Sequence, residues 1–380
     1  MKARYLKRNV EEDLVEKMVF VGGPRQVGKT TFALSLLPGG KQDGLAGAYL
    51  SWDSLEDREK IIAGRLPPGQ PQVILDEIHK YARWRNLIKG WHDKHKSAVS
   101  FVVTGSARLD YYRKGGDSLQ GRYHYYRLHP FTVMECMAQP DTAIVTQLLR
   151  FGGFPEPLFK ENERFHRRWL REYSDRVVHD ELDGLERVRE VTMLELLLSH
   201  LPACVGSPIS VNSLSRLLQT SHESAERWIA IFERLYVCYR IPPFGSRKIR
   251  AVRKEKKLYF WDWSRVENPG ARFENMVAGH LLKYAHFIED TEGHNMELRY
   301  IRDTDKREVD FVVLRDGSPE FAVECKTGER AASPACRYFR ERTGIPRFYQ
   351  VHLGETDFGN ADTDTRVMPF ATFCKELALP

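Results

Sequence analysis

The first third of the chain contains short runs rich in apolar and aromatic residues, separated by polar and glycine-containing segments. These runs occupy residues 18–22, 73–75, 99–104 and 123–128. Runs of this length between polar boundaries are typical of strands in the buried sheet of an α/β protein. After the first run a helical pattern begins at Thr31, with Leu34 and Leu37 on one face. The pattern therefore predicts an α/β domain with a parallel-sheet core.

The middle of the chain has the period of helices instead. Residues 165–178 place Trp169, Leu170, Tyr173 and Val177 on one face of an amphipathic helix. Further helices are expected at 191–201, at 211–218 after Ser210 as N-cap, and up to Leu235, followed by strands at 236–241 and 258–263. Helix, short turn, helix and two strands around a basic loop is the layout of a winged helix.

The last hundred residues predict a small α/β domain. A helix is expected at 271–284, and strands at 308–314 and 321–326. Between the strands, Arg315-Asp316-Gly317-Ser318 contains an Asp-Gly pair, which is typical of a tight hairpin turn.

Composition narrows the class of protein. The 380 residues are 42% hydrophobic and 29% charged, as in a globular chain. No run of about 18 apolar residues occurs, and the six cysteines have neither metal-ligand nor redox spacing. We therefore expect a cytoplasmic protein with reduced thiols and no membrane partner. The formal net charge of +6 permits a nucleic-acid partner without requiring one.

The segment after the first apolar run matches G-x-x-x-x-G-K-[ST] at every fixed position. It reads Gly23-Pro24-Arg25-Gln26-Val27-Gly28-Lys29-Thr30, and Thr31 follows. Gly23 and Gly28 let the backbone curl around phosphates, and the helix start adds its positive dipole end. Lys29 would neutralise the β and γ phosphates, and the Thr30 hydroxyl would be a ligand of Mg²⁺. The segment predicts a P-loop for ATP and Mg²⁺.

An acidic pair ends the second apolar run. In Val73-Ile74-Leu75-Asp76-Glu77, Asp76 stands where a Walker-B acid would hold Mg²⁺ through water. Glu77 would polarise the attacking water as the catalytic base. Alone the two acids would also suit the start of a surface helix at 78–91, but with Lys29 and Thr30 they predict a hydrolytic site.

Three further residues have two interpretations each. Thr104 and Ser106, at the tip of the third run, either contact the γ-phosphate or its attacking water, or form a turn. Arg122, in Gln120-Gly121-Arg122, is either an arginine finger or phosphate sensor, or a solvated surface charge.

The order of motifs resembles that of prokaryotic AAA-type ATPases that carry a C-terminal domain of unknown function, near the archaeal ATPases and the STAND-like NTPases. The motifs are Gly-Pro-Arg-Gln-Val-Gly-Lys-Thr-Thr, Leu-Asp-Glu-Ile-His-Lys, Thr-Gly-Ser-Ala, Leu-Gln-Gly-Arg, His-Pro-Phe-Thr and Gly152-Gly153-Phe154-Pro155-Glu156. The resemblance covers essentially the whole chain. It implies an ATPase with a helix-turn-helix segment and a nuclease-like tail, without a defined biological role.

Basic residues are concentrated in two places. The expected helix at 165–178 and its approach carry arginines that are either lid residues folding onto the nucleotide or a solvated face: Arg164, Arg167, Arg168, Arg171 and Arg176. The loop of the predicted winged helix has seven bases against Glu255: Arg247, Lys248, Arg250, Arg253, Lys254, Lys256 and Lys257. Acids on the preceding helix, including Glu226 and Glu233, oppose groove binding, so DNA contact and protein docking both stay open. The Gly-Gly-Phe-Pro stretch before the lid is expected to act as a hinge.

The tail carries a constellation suited to phosphodiester cleavage. Glu324 and Lys326, two apart on one strand, face the same side, and the hairpin brings Asp310 to them. The two carboxylates would chelate Mg²⁺ and Lys326 would orient water. The spacing resembles the PD-(D/E)XK nuclease superfamily, in which Glu274 matches the acid of the first helix. A surface salt bridge on a hairpin is the other interpretation.

Together these patterns predict an AAA-type ATPase core at 1–135, a helical lid at 136–200, a winged helix at 201–265 and a PD-(D/E)XK nuclease-like domain at 266–380. The leading function is an ATP-hydrolysing protein that acts on nucleic acid (DNA), with nucleotide-driven movement of the lid and winged helix. One alternative is an ATP-dependent switch that binds a protein partner and has an inactive tail. The other is an ATP-gated, Mg²⁺-dependent nuclease. The oligomeric state is left open.

Overall fold

A computed structural model describes residues 3–37, 48–105, 109, 119–137, 139–179, 188–245 and 255–380. These residues form two compact units, Met1–His129 and Pro130–Pro380. No helix in this described part of the chain is long and apolar enough to cross a membrane.

The first unit is built on a parallel sheet. In the described residues its strands are β1 (Met18–Gly22), β2 (Tyr49–Ser51), β3 (Gln72–Asp76), β4 (Ser100–Thr104) and β5 (Tyr123–Arg127). Their order is β2-β3-β4-β1-β5, and every neighbouring pair is parallel. β1 and β3 are buried at every position, as their apolar runs predict. The predicted α/β class with a parallel-sheet core is confirmed.

Helices cover the sheet of the first unit: α1 (Lys7–Asp13), α2 (Lys29–Leu34), α3 (Leu55–Ile62) and α4 (Trp84–His95). The predicted helix from Ile78 to Trp91 is wrong at its start. Glu77 adopts a left-handed backbone conformation, a short 3₁₀ turn covers Ile78–Lys80, and Tyr81 is extended. The regular helix therefore begins only at Trp84.

The second unit starts with helices: α5 (Val133–Cys136), α6 (Thr142–Phe151), α7 (Pro155–Lys160), α8 (Glu163–His179) and α9 (Val188–His200). α8 is the predicted amphipathic helix. Its Trp169 and Tyr173 pack on Phe154, with ring centroids 5.2 and 5.5 Å away. Its arginines, together with Arg164, lie on the exposed face, which agrees with the solvated-face interpretation.

The Gly-Gly-Phe-Pro stretch is packed inside the second unit, and its role as a hinge stays a prediction. The Gly153 carbonyl accepts a hydrogen bond from the Phe131 backbone N–H at 2.7 Å. A Cβ at Gly153 would lie 2.5 Å from the Phe131 carbonyl oxygen and 2.7 Å from the Trp263 ring. Close packing of this kind requires glycine at position 153.

The next elements are α10 (Val211–Leu217), α11 (His222–Arg234), β6 (Cys238–Ile241) and β7 (Lys257–Phe260). Ser210 and Ser221 cap the two helices by accepting backbone N–H groups three residues on, as expected for Ser210. β6 and β7 pair antiparallel. This is the element order predicted for a winged helix. Most of the predicted basic loop, residues 246–254, lies outside the described residues.

The unit ends in a mixed sheet. The helices and strands of this last part of the unit are α12 (Pro269–Glu292), β8 (Met296–Arg302), β9 (Glu308–Arg315), β10 (Ser318–Lys326), α13 (Pro334–Arg342), β11 (Phe348–His352), β12 (Thr365–Pro369) and α14 (Phe370–Glu376). In the described chain the sheet order is β12-β11-β10-β9-β8. Asp316 and Gly317 both have positive φ, 50° and 79°, which confirms the predicted Asp-Gly turn between β9 and β10.

Candidate functional site

The P-loop lies at the carboxyl edge of the parallel sheet. It leaves β1 at Gly23, whose φ of 144° favours glycine. A Cβ at this position would lie 2.4 Å from the Leu128 carbonyl oxygen, so no other residue fits. Gln26 and Gly28 also have positive φ, 61° and 95°. Successive changes of backbone hand curl the chain into a concave turn, which is the form of an anion-binding nest.

Lys29 opens α2 and turns back into the curve of this loop. It is buried, and its ammonium donates to the carbonyl oxygens of Gly23 at 3.0 Å and Pro24 at 2.7 Å. A cation held on the concave side of the loop is placed to meet phosphate oxygens. The other predicted ATP-binding residues differ in exposure. Pro24 and Val27 are buried, Arg25 and Gln26 are half-buried, and Thr31 is exposed on the first turn of α2.

Asp76, the last residue of β3, joins the P-loop to two other strands. Its carboxylate accepts the Thr30 hydroxyl at 2.8 Å and the Tyr49 hydroxyl at 2.7 Å on Oδ2, and the Thr104 hydroxyl on Oδ1. Burial and the Asp76 carboxylate raise the pKa of Tyr49, so its phenol stays a donor. A serine or threonine hydroxyl beside a carboxylate is a hard-oxygen pair that fits Mg²⁺. Thr30 and Asp76 thus fit the ion that the P-loop motif implies.

Glu77 follows directly, held in an unusual backbone conformation. Its φ of 55° is in the left-handed region, which non-glycine residues rarely adopt outside turns and functional sites. The Glu77 N–H donates to the Thr104 carbonyl at 3.0 Å. Its carboxylate is half-buried and lies 3.6 Å from both His79 Nε2 and Lys80 Nζ. The turn at Glu77 thus places two consecutive carboxylates, those of Asp76 and Glu77, at the end of β3.

The other predicted residues do not all reach this edge. Arg122 precedes β5, and its carbonyl accepts the Met18 N–H at the amino end of β1, opposite to the P-loop. Its guanidinium pairs with Asp93 at 2.8 Å. The structure therefore does not bring Arg122 to the P-loop of its own chain. Ser106 lies outside the described residues. Thr104 is fully buried and donates to Asp76, so it orients the acid.

Two residues that no motif predicted, Arg4 and Tyr5, donate hydrogen bonds to backbone carbonyl groups in the P-loop and at or just after the end of β5. Arg4 is buried and donates to the carbonyl oxygens of Val27 at 3.0 Å and of His129. Tyr5 donates its hydroxyl to the Arg127 carbonyl at 2.5 Å. Since these contacts span more than twenty residues and end on backbone atoms, no local sequence signal announces them.

The tail residues converge as predicted. The β9–β10 register pairs Phe311 with Val323, so Asp310 and Glu324 are the next facing positions on one side of the hairpin. The Asp310 carboxylate accepts the Cys325 backbone N–H at 2.9 Å. Lys326 pairs with Glu324 at 2.5 Å.

A lysine from another strand completes this cluster. Lys257, the first residue of β7, has a fully buried side chain whose ammonium lies 3.0 Å from Glu274, 2.5 Å from Glu308 and 3.4 Å from Asp310. Tyr259, two residues on, donates to Glu274 at 2.6 Å. The assignment of Lys257 to a DNA-contacting loop is therefore wrong. The run of bases before it hid a strand that is buried at all four positions.

Burial and mutual repulsion shift the acids of this cluster. Burial, then the nearby Asp310 carboxylate, raises the pKa of Glu274 to about 7, against the opposing effect of Lys257. The same two causes raise the pKa of Glu324 to about 8, opposed by Lys326. Close carboxylates in a buried site favour protonation of one partner.

The resemblance to PD-(D/E)XK nucleases implies a divalent metal among these acids, and the arrangement does not fit one. In the described residues, no group of three or more His, Cys, Asp or Glu side chains is disposed to hold a metal ion. The ammonium of Lys257 lies among Glu274, Glu308 and Asp310 instead. No cleavage step is derived for this site.

Family comparisons agree with the P-loop geometry. Residues 15–137 match the model of an AAA domain. Residues 142–266 and 269–373 match two domains of unknown function, DUF8612 and DUF4143. The chain therefore carries an AAA-type P-loop ATPase domain that binds ATP.

Similar proteins span most of the chain at low identity. An uncharacterized protein of Methanocaldococcus jannaschii, MJ1544, is 22% identical over 348 residues, 82% of this chain and 76% of its own. The Aeropyrum pernix ORC1 protein in complex with DNA is 15% identical, covers 74% of this chain and 94% of its own, and has a TM-score of 0.34. The Bacillus subtilis DNA clamp loader delta protein is 10% identical, covers 60% and 87%, and has a TM-score of 0.30.

Proposed function

We propose that this chain hydrolyses ATP with Mg²⁺ at the P-loop and acts on nucleic acid, with nucleotide-driven movement of the lid and the winged-helix segment. The observation that carries the hydrolytic part is the hydrogen bond between Thr30 and Asp76. It joins the P-loop to the strand end that also bears Glu77, with Lys29 held in the concave loop.

Each group has a defined task in this proposal. Lys29 and the loop N–H groups bind the β and γ phosphates, and Glu77 polarises the water that attacks the γ-phosphorus. The bond from that phosphorus to the bridging oxygen breaks, and ADP leaves with the electron pair. Mg²⁺, held by Thr30 and through water by Asp76, would neutralise phosphate charge when bound. Thr104 and Tyr49 keep Asp76 oriented.

Replacing Glu77 by Gln tests hydrolysis. The amide cannot take the proton of the water, so turnover should fall at least about 100-fold while ATP binding is retained. Phosphate release and calorimetric ATP affinity would be measured on the same preparations. Glu59→Gln, an exposed acid on α3, is the matched control. A Glu77→Gln protein with native turnover would remove Glu77 from the mechanism.

Charge on the winged-helix segment supports a nucleic-acid partner. The Arg240 guanidinium forms paired hydrogen bonds to Glu226 and Glu233, with its closest contact to each at 2.7 Å. The negative charges of these two acids of α11 are thus neutralised by Arg240, which lies on β6. The repulsion that they would exert on phosphates is correspondingly weakened. Residues 246–254 lie outside the described residues, so the role of this basic segment in the proposal rests on the sequence alone.

Four basic residues in and just after this segment are the ones to neutralise: Arg250, Arg253, Lys254 and Lys256. Their joint replacement by Gln should weaken DNA binding and flatten the slope of log affinity against log salt by a few units, at about 0.9 per lost phosphate contact. Fluorescence anisotropy with a labelled duplex over a salt series gives both quantities.

The control removes the same charge from the exposed face near α8, by replacing Arg164, Arg167, Arg168 and Arg171 with Gln. It should leave the slope near the native value. An unchanged slope in the 250–256 variant would exclude this segment as the DNA-contacting surface.

An ATP-dependent switch that binds a protein partner is the second candidate, and the position of Lys257 favours its inactive tail. If the native chain shows no salt-dependent DNA binding, this candidate replaces the nucleic-acid role. The ATP-gated, Mg²⁺-dependent nuclease has the least support, because a divalent metal does not fit the tail site.

A further inference from the structure

A buried lysine stands at the centre of the acidic cluster in the second unit. The Lys257 side chain is 0% exposed, and its ammonium contacts one carboxylate from α12, Glu274, and two from β9, Glu308 and Asp310. Burial lowers the pKa of Lys257, but the three carboxylates outweigh it and raise the pKa above the ordinary value. The side chain is therefore a permanent cation.

Backbone pairing fixes the place of this cation. Lys257 faces Ile241 in the β6–β7 pair. The chain after β6 is fastened to β8: the Phe244 N–H donates to the Tyr300 carbonyl at 2.6 Å, and the Tyr300 N–H donates to the Pro242 carbonyl at 3.2 Å. The Tyr300 ring centroid lies 5.6 Å from the Lys257 ammonium. The strand pairing thus fixes the backbone of Lys257, and the contacts with Glu274, Glu308 and Asp310 hold its ammonium.

The acids around it are the ones that hard divalent ions prefer. Glu274, Asp310 and Glu324 supply carboxylate oxygens from α12, β9 and β10, the donor type that magnesium and manganese sites use. Glu274 and Asp310 contact the Lys257 ammonium, and Glu324 pairs with Lys326. Glu324 is buried, and its Oε2 has no hydrogen-bond partner within the described part of the chain. A cavity of about 610 Å³ is lined in part by Glu274. These oxygens are of the kind that a metal site uses, but with the Lys257 ammonium among Glu274, Glu308 and Asp310 the described acids are not disposed to hold an ion.

We propose that Lys257 is the resident cation of this site, and that Lys257 and a divalent metal ion are mutually exclusive occupants. The native chain then takes no divalent ion here. Removing the Lys257 amine uncovers a Mn²⁺ or Mg²⁺ site formed by Glu274, Asp310 and Glu324. Like charges repel steeply at the distances seen around this ammonium, so both cations are not accommodated together. The inference is independent of the ATP site and its hydrolysis.

The test counts Mn²⁺ bound to the full chain without nucleotide, by the loss of the free-ion signal in electron paramagnetic resonance. All proteins carry Asp76→Asn, so that the P-loop acid does not contribute. The starting protein should bind no Mn²⁺ that depends on Asp310. Lys257→Met, which keeps the apolar stem, should gain one Mn²⁺ per chain, at least about tenfold tighter than any site of the starting protein. Adding Asp310→Asn should abolish that gain.

Lys375→Met is the matched control, since Lys375 is an exposed lysine of α14 outside the cluster. Because Lys257→Met leaves the carboxylates without their cation, a second variant adds Glu308→Gln and lowers the repulsion. Near-ultraviolet circular dichroism reports whether each variant is folded. A folded variant of either kind that binds no Mn²⁺ overturns the proposal. So does Asp310-dependent Mn²⁺ binding by the starting protein, whatever the variants do.

Discussion

Asp76 accepts hydroxyl hydrogen bonds from three residues on three elements: Thr30 on α2, Tyr49 on β2 and Thr104 on β4. A carboxylate held by several donors keeps one orientation, and such outer partners tune the affinity of the metal that the carboxylate serves. The precision of the site therefore depends also on Tyr49 and Thr104, to which the proposed mechanism gives no contact with ATP or metal.

Tyr49→Phe tests this dependence with the loss of one oxygen atom. The variant should need roughly tenfold more Mg²⁺ for half-maximal ATP turnover, because Asp76 loses one of its orienting donors. A Mg²⁺ titration of phosphate release measures it. Tyr81→Phe, another half-buried tyrosine of the first unit, should match the native curve. Identical Mg²⁺ requirements in the two variants would show that Tyr49 does not orient Asp76.

Residues at motif spacing were predictable, and their distant partners were not. Lys29, Thr30 and Asp76 follow from short patterns whose chemistry fixes their types. Tyr49 and Lys257 lie on short strands, and their contacts with Asp76 and Asp310 join residues 27 and 53 positions apart in the chain. A sequence pattern reports the local period and leaves such pairings undetermined.

At the scale of elements, α12 is the buried axis of the second unit. This 24-residue helix carries polar residues that are fully buried and fully used. Asn275 exchanges two hydrogen bonds with the Phe260 backbone, at 2.7 and 2.8 Å. His280 bonds the Met276 carbonyl at 2.8 Å and accepts the Val133 N–H at 3.1 Å. The apolar period at 271–284 predicted the helix, but its polar positions were readable only once the neighbours were known.

The buried ring of His280 makes stability depend on pH. Burial lowers its pKa to about 3, with Lys283 acting in the same direction and the Met276 carbonyl and Glu135 opposing it. Between this value and about 6.5, the unfolded chain binds a proton that the folded chain does not. Stability from this group is therefore complete above pH 6.5 and declines as the pH falls.

His280→Gln keeps an acceptor for the Val133 N–H and removes the titration. From pH 6.5 to 5 the native protein should lose about 2 kcal/mol more unfolding free energy than the variant does. Denaturant unfolding at the two pH values gives the difference. His222→Gln, an exposed histidine at the start of α11, should behave as native. Equal pH sensitivity of native and His280→Gln proteins would contradict a neutral buried ring.

At the scale of the whole molecule, the ATP site and the acidic cluster belong to different compact units. The order of apolar runs sufficed to predict the parallel sheet and the later α/β region. The boundaries at 135, 200 and 265 stay predictions, and within the second unit the contacts of Lys257 with Glu274 and Asp310 cross the last of them. The residue composition gives no signal at the boundary at 265, because residues before and after it contribute to one buried cluster.

The central claim is that the P-loop binds ATP through Lys29, and calorimetry of ATP with Mg²⁺ tests it most directly. The native chain should bind one ATP, and Lys29→Ala should show no measurable heat of binding, since the main cation facing the phosphates is gone. Lys94→Ala, an exposed lysine on α4, should bind as the native chain does. Native ATP affinity in Lys29→Ala would contradict the assignment of residues 23–30 as the nucleotide site.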